Sequence, residues 1–432
     1  MLDISRISNQ PTIWEFPYQN DTEFKLSYKY LVLFFLFIAC LNIFVIELSK
    51  YTGNFDPGPA KDYIVYAEEI IQQGYPNPTN WLPGFGYYIA FKYFITDLLN
   101  IPYHSSKYFI DLITISLSAV FSFYICYLLI RNTVISLISS IALVCSPIFI
   151  LGVSECLPLI IFQPFFLLSL IIFLREIQKS NHINLSQIFV SGIIMGLASL
   201  IRGNVNYIII VLGLFLLIKR KLFIKYTWKK LLSIIIVFYF GQSLIMAPWN
   251  LYVKKINKDS PSYGALYSNY FEGLRRHPGN RVSDWVIDYR KKDIPGNNNK
   301  EFVIEGSLNS VLKFNIYWIK KDPVALVNLY ILKFIRVWYL SDSGKWDWFI
   351  FYLHFPIWII AILGLLVWFR ESRNNPSLFF ILLIIGYMWA IGGIMDGIAR
   401  YTAPLYGFIN IFSGIFIVNL FNYFQKRILK SP

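Results

Sequence analysis

The sequence predicts an all-α fold, a polytopic membrane helical bundle with two large non-cytoplasmic loops that carry interfacial amphipathic helices. Three observations carry that prediction. The 432 residues are 56% hydrophobic and only 15% charged, with a mean hydropathy of +0.51, too apolar for a soluble domain of this length. Apolar runs recur along the chain, and about 20 apolar residues are needed to cross a bilayer. Between those runs, short clusters of Lys and Arg fall at alternate turns, as positive-inside sorting requires.

Residues 1–26 are polar with scattered aromatics and read as a cytoplasmic N-terminal segment, followed by a single transmembrane domain over 27–425. The first apolar run, 28–48, lacks a small-residue cleavage site, so it is expected to remain as a helix. Further spans are expected near 108–130, 133–153, 156–174, 186–201, 204–218, 231–248, 349–369, 376–395 and 402–423, about ten helices in all. The stretch 83–100 is apolar too, but it opens Pro-Gly and carries Lys92 and Asp97, which points to an interfacial segment.

With the N-terminus inside, alternation puts Arg131, Arg175 with Lys179, Lys219 to Lys230, Arg370 with Arg373, and Lys426 with Arg427 on one cytoplasmic face. The long loops 49–106 and 249–347 then lie on the opposite face. Within the second, 258–300 is rich in Gly, Pro and Asn and irregular, whereas 307–340 mixes apolar and basic residues at helical spacing and reads as helices lying on the membrane. The formal charge of +14 follows from basic residues facing anionic lipid, so no nucleic-acid partner is expected. Cys40, Cys126, Cys145 and Cys156 lie in or beside apolar runs without metal-ligand spacing, and are expected to be buried packing residues.

This topology collects ionisable residues on the non-cytoplasmic side: Asp56 and Asp62, Glu155, Arg202, and Asp396 with Arg400, together with Pro248-Trp249-Asn250. Such residues at membrane depth are costly and usually have a partner or a task. Carboxylates beside arginines at a membrane surface suit transfer from an anionic lipid carrier. An aspartate can take the proton of an attacking hydroxyl, and the planar guanidinium fits the oxygens of a departing phosphate.

The spacing Asp62-x-x-x-Tyr66-Ala67-Glu68, then Gly74, then Trp81-Leu82-Pro83-Gly84, resembles the first external loop of the GT-C membrane glycosyltransferases. The likeness is strongest to the branch of bacterial aminoarabinose transferases and protein O-mannosyltransferase-like enzymes. Further matches follow in order: Ser154-Glu155, Gly196 to Arg202, Pro248-Trp249-Asn250, Asp322-Pro323 followed by Lys333, and Arg400-Tyr401-x-x-Pro404. The resemblance covers roughly residues 50–420 and implies an inverting transferase. Its donor is a sugar on a polyprenyl-phosphate carrier, and its acceptor hydroxyl belongs to a lipid, glycan or protein. Asp62 would be the base, Arg202, Arg400 and Lys333 the phosphate contacts, and Glu155 and Tyr401 further substrate-binding residues. Tyr63 stands where the family often has a second acid, so Asp56 stays open as an alternative base. The setting implied is the outer face of a bacterial inner membrane.

Each residue also has a plainer role. Asp62 suits the first turn of a helix over 62–73, Asp56 before Pro57-Gly58 suits a turn, and Glu155 suits a helix cap. Arg202, Lys333 and Arg336 would contact lipid headgroups, and Arg400 would pair with Asp396. Arg275-Arg276-His277 reads as a solvated loop cluster, and Trp81 and Trp249 as interfacial anchors. No cofactor is required; a divalent metal ion held by Asp56 and Asp62 is an open alternative, since hard cations take carboxylate oxygens. A secondary transporter or flippase for an amphiphilic anion is the rival class. Such proteins place their charges and helix breaks near the bilayer midplane.

Overall fold

The structure, a computed structural model, describes residues 32–41, 43, 60–76, 82–100, 103–146, 149, 158–179, 183–222, 227–256, 308–339, 347–371, 375–394 and 399–428. At several helix ends, including Asp62 and Arg400, the description extends to the backbone only. Among the described residues every regular element is a helix. After a short apolar helix, Val32–Leu41, come α1 (Ala60–Gln73), α2 (Pro83–Leu99), α3 (Tyr103–Ile130), α4 (Thr133–Val144), α5 (Leu159–Gln178) and α6 (Leu185–Ile201). Then follow α7 (Ile208–Leu222), α8 (Trp228–Ile256), α9 (Leu308–Lys321), α10 (Pro323–Arg336), α11 (Asp347–Glu371), α12 (Pro376–Ile394) and α13 (Tyr406–Ile428).

The boundaries have local causes. Asn132 caps α4 by accepting from the Ile135 amide (3.0 Å), and Asn184 caps α6 through the Ser186 amide (3.0 Å). Asp322 accepts from the Ala325 amide (2.9 Å) while Pro323 opens α10 with φ already fixed, so the Asp322-Pro323 motif is a helix start. At the basic end, Glu176 takes the Lys179 ammonium and the Asn184 amide, and Lys219 donates to the Ile177 carbonyl. These contacts satisfy polar groups where α5 ends and α6 begins.

Among the described residues seven helices are long and apolar enough to span a membrane: Phe109–Ile130, Leu159–Gln178, Gly203–Arg220, Trp228–Lys255, Asp347–Arg370, Pro376–Ile394 and Ala403–Gln425. Each falls where a span is expected. The other three expected positions hold shorter apolar helices, Val32–Leu41, Thr133–Val144 and Leu185–Ile201. Leu159–Gln178 and Ala403–Gln425 are each 72% buried and form the centre, whereas Asp347–Arg370 is 22% buried and lies at the periphery. Within the 307–340 stretch the described residues hold two helices, α9 and α10.

Glycine sets the closest helix contacts. Gly192 and Gly196, one turn apart on α6, meet Gly241 and its neighbours on α8. A Cβ on Gly192 would come within 2.1 Å of the Phe238 carbonyl oxygen, and one on Gly241 within 2.5 Å of that of Phe189. The two main chains therefore touch, as small residues four apart allow in lipid. Gly364 on α11 does the same against the Phe412 carbonyl of α13, at 1.8 Å.

Three expectations change. Lys92 does not face headgroups: it is fully buried and pairs with the equally buried Asp111 of α3. The Tyr88 hydroxyl donates to the same carboxylate oxygen (2.7 Å), and the Lys92 ammonium lies 4.5 Å from the Tyr88 ring centre. Of the cysteines, Cys126 is buried but Cys40 and Cys145 are exposed on the bundle surface, because apolar character alone does not separate lipid-facing from protein-facing positions. Cys156 lies outside the described residues. Trp249 is buried, with its ring 5.6 Å from that of Tyr252.

Candidate functional site

The site builds from the end of α6. Arg202 leaves that helix in extended conformation (φ −144°, ψ 117°), its amide still bonded to the Ala198 carbonyl (2.9 Å). A single 3-10 turn, Gly203–Val205, then reverses the chain into α7. Two neighbours hold this turn. The Gln242 amide of α8 donates to Ser199 Oγ (2.9 Å) and sits 3.3 Å from the Val205 carbonyl, and the Tyr387 hydroxyl of α12 donates to the Asn204 carbonyl (2.7 Å).

Fixed in this way, the half-buried Arg202 guanidinium lies 5.0 Å from the ring centre of Tyr401 and 5.6 Å from that of Phe162. Both are cation–π distances. Tyr401 belongs to the 3-10 segment Ala399–Tyr401 after α12, so the backbone of Arg400 is brought to the same place. Gln163 of α5 secures the segment that follows by donating to the Pro404 carbonyl (3.2 Å).

Lys333 reaches this region from α10. It is 1% exposed, and its ammonium donates to the Ile394 carbonyl (2.6 Å), one of the acceptors left open where α12 ends. Its helix is seated by three contacts. The Thr402 hydroxyl donates to the Val337 carbonyl (2.7 Å), the Trp389 indole donates to the Phe334 carbonyl (2.9 Å), and Val337 packs with Tyr401. Gly392 makes the last contact possible, since a Cβ there would lie 2.7 Å from Val337 and 3.1 Å from Tyr401. Arg336, a turn beyond Lys333, is also buried. Lys333 and Arg336 are therefore core cations, not the surface headgroup contacts their amphipathic helix suggests.

The acid-bearing helix α1 approaches from another side. The Tyr63 ring meets Phe85 edge-on (4.7 Å, 89°), and Gly84, beside Phe85, lies so close to α6 that a Cβ would be 2.8 Å from Ile201 and the Leu200 carbonyl. Two packing steps thus connect the first turn of α1, which includes Asp62, with the end of α6 that presents Arg202. Asp62 is the third residue of its helix, as the first-turn role requires. Its side chain and that of Arg400 lie outside the described set, as do the whole of Asp56, Glu155, Trp81, Asp396 and the Arg275-Arg276-His277 cluster.

Of the sequence candidates, Arg202, Tyr401, Lys333 and the backbone of Arg400 are therefore brought to one end of the bundle. The Arg202 guanidinium, flanked there by the Tyr401 and Phe162 rings, can hold an anionic group whose attached chain is apolar. Phe162, Gln163 and Asn204 were not legible as site residues, because nothing in a span marks which apolar or amide side chain faces the reversal turn. Asp111 does carry a signal in the sequence, a carboxylate inside an apolar run. Among the described residues no three His, Cys, Asp or Glu side chains gather as a metal site; the acids that the metal alternative needs are outside that set.

No protein-family model and no curated protein sequence matches the chain. Solved structures do. The oligosaccharyltransferase of Archaeoglobus fulgidus in its apo form superposes with a TM-score of 0.56 at 12% identity, over 94% of this chain and 52% of the archaeal one. The oligosaccharyltransferase AglB from the same organism, in complex with an inhibitory peptide and a dolichol-phosphate, gives 0.58 at 13% identity, over 93% and 51%. The chain thus spans about half the length of each. At these identities the likeness is one of fold alone.

Proposed function

We propose that this chain is an integral-membrane glycosyltransferase that moves a sugar from a polyprenyl-phosphate donor to an acceptor hydroxyl, on the face opposite the basic loops. The observation that carries the proposal is the meeting of Arg202, Tyr401 and the Lys333-bearing helix at one end of the bundle. The first turn of α1 is packed towards the same end. The fold likeness over nearly the whole chain supports it, and the archaeal neighbour bound to a dolichol-phosphate makes a lipid-borne phosphate the first donor class to test.

In this reaction the acceptor oxygen bonds to the anomeric carbon and its proton passes to the Asp62 carboxylate. The bond from that carbon to the phosphate oxygen breaks, and its electron pair leaves with the polyprenyl phosphate. Entry opposite to departure inverts the anomeric centre. Arg202 and Arg400 hold the charge that grows on the phosphate, Lys333 joins them by turning its ammonium from the Ile394 carbonyl, and Glu155 orients the sugar or an arginine. Asp56 is the alternative base, or a partner of Asp62 in holding a divalent metal ion. Lipid, glycan and protein hydroxyls all satisfy this chemistry, and the donor sugar is a hexose or pentose. The setting is the bacterial inner membrane, with the site facing outwards.

The test is transfer from a panel of radiolabelled polyprenyl-phosphate sugars in membranes that hold the native chain or Asp62→Asn. Transfer by the native chain and a loss of about a thousandfold in the variant are expected for a missing general base. Full turnover by Asp62→Asn would remove Asp62 from that role, and the same assay with a chelator addresses the metal ion. Absence of transfer from every donor would favour the transporter or flippase.

A further inference from the structure

Directly behind the segment that carries Arg400 and Tyr401, three buried side chains and one half-buried carbonyl from four parts of the chain form one hydrogen-bonded chain. Ser146, just after α4, has its hydroxyl 3.3 Å from His354 Nε2 on α11. His354 Nδ1 lies 2.8 Å from the Tyr406 hydroxyl, where α13 begins, and that hydroxyl lies 3.2 Å from the Trp338 carbonyl, just past α10. Ser146, His354 and Tyr406 are all 2% exposed or less.

Donor arithmetic gives the chain a direction. The Trp338 carbonyl can only accept, and with the Tyr406 hydroxyl donating to it that hydroxyl accepts from His354 Nδ1–H. That leaves Nε2 to accept from Ser146. A neutral imidazole carrying its proton on Nδ1 satisfies every link.

The chain ends at a clasp. Two consecutive carbonyls, Val337 and Trp338, face the hydroxyls of Thr402 (2.7 Å) and Tyr406 (3.2 Å), with Thr402 also 3.0 Å from the Ala399 carbonyl of its own segment. These two side chains flank the 3-10 turn Ala403–Leu405 that joins the Arg400–Tyr401 segment to α13. The clasp therefore sets how far α10, with Lys333, stands from Arg400, Tyr401 and the Arg202 packed on Tyr401.

We propose that His354, Tyr406 and Thr402 are positioning residues, which fix the spacing of the cations on these two segments to grip the phosphate of a lipid carrier. The role rests on the transferase reading. None of the three touches the carrier. A cation displaced by an ångström loses much of its hold on a compact anion, whereas loss of one hydroxyl leaves the bundle's glycine-lined contacts untouched.

The test is binding of a polyprenyl phosphate to the purified full chain in lipid nanodiscs, for native, Tyr406→Phe, Thr402→Val, His354→Leu, His354→Asn and His354→Gln. Thermal unfolding of each is followed in parallel. Tyr406→Phe and His354→Leu are expected to weaken binding about tenfold with the chain still folded, as loss of one buried hydrogen bond entails. Asn places an amide N–H where Nδ1–H was and Gln does not, so His354→Asn is expected to bind within about twofold of native and His354→Gln like His354→Leu. Native affinity in folded Tyr406→Phe, or equal affinities for the Asn and Gln variants, overturns the clasp while leaving the donor reading intact. Absence of binding by the native chain removes the donor reading itself, and the clasp with it.

Discussion

The guanidinium carbon of Arg202 lies 5.0 Å from the ring centre of Tyr401, although the two residues close helix–loop junctions in different halves of the sequence. The contact needs a flat cation and an aromatic face, not a phenol. Tyr401→Phe is therefore expected to keep transfer from a polyprenyl-phosphate sugar within about twofold, whereas Tyr401→Leu loses roughly tenfold. Arg202→Lys, which keeps charge but loses the planar fork, is expected to fall about tenfold or more in kcat/KM for the donor. Equal activity in Arg202→Lys and the native chain would show that charge alone is used.

Lys92 and Asp111 give a prediction about stability alone. Removing one charge of a fully buried pair strands the other, which costs about 3–5 kcal/mol. Lys92→Met and Asp111→Leu are each expected to lower the unfolding temperature in detergent sharply, and the double variant is expected to recover most of the loss. A double variant as unstable as the worse single one would show that the pair itself, beyond avoidance of an orphan charge, is needed.

The helix-cap role of Asp322 is separable from any chemical role of its motif. Asp322→Ala is expected to cost about 1 kcal/mol, seen as faster amide exchange in the first turn of α10, and Asp322→Asn a few tenths. If Asp322→Asn abolished transfer while exchange in α10 stayed native, the residue would be acting on substrate.

Gly192 and Gly386 offer a matched pair in apolar helices. A Cβ on Gly192 would meet the Phe238 carbonyl oxygen at 2.1 Å, while one on Gly386 meets nothing within 4 Å. Gly192→Ala is expected to destabilise by several kcal/mol, an order-of-magnitude figure for forced overpacking. Gly386→Ala is expected to be neutral or mildly stabilising, because Ala favours the helix by roughly 1 kcal/mol. Thermal unfolding of the two variants decides it.

Helix positions were legible because a bilayer requires long apolar runs, and the sorting of Arg131, Arg175 and Lys230 to one side follows from charge. The same alternation puts Arg202 and Arg400 on a common face, and Tyr401 follows Arg400 directly. The depth of Lys92, Lys333 and Arg336 was not legible. A cation at helical spacing beside apolar residues looks the same in sequence whether it snorkels to headgroups or turns inwards to Asp111 or to the Ile394 carbonyl. The distinction depends on which helices neighbour it, and that is set by contacts such as Gly392 with Val337 that no local pattern records.

The backbone contact of α6 with α8 also limits how the molecule can open. Side chains can swing aside to let a long isoprenoid tail slip between two helices; main chains already in touch cannot. The helix that ends at Arg202 and the helix that bears Trp249 are therefore coupled through their main chains. On the transferase reading, entry of a lipid carrier is expected along a seam closed by side chains alone, and not between α6 and α8.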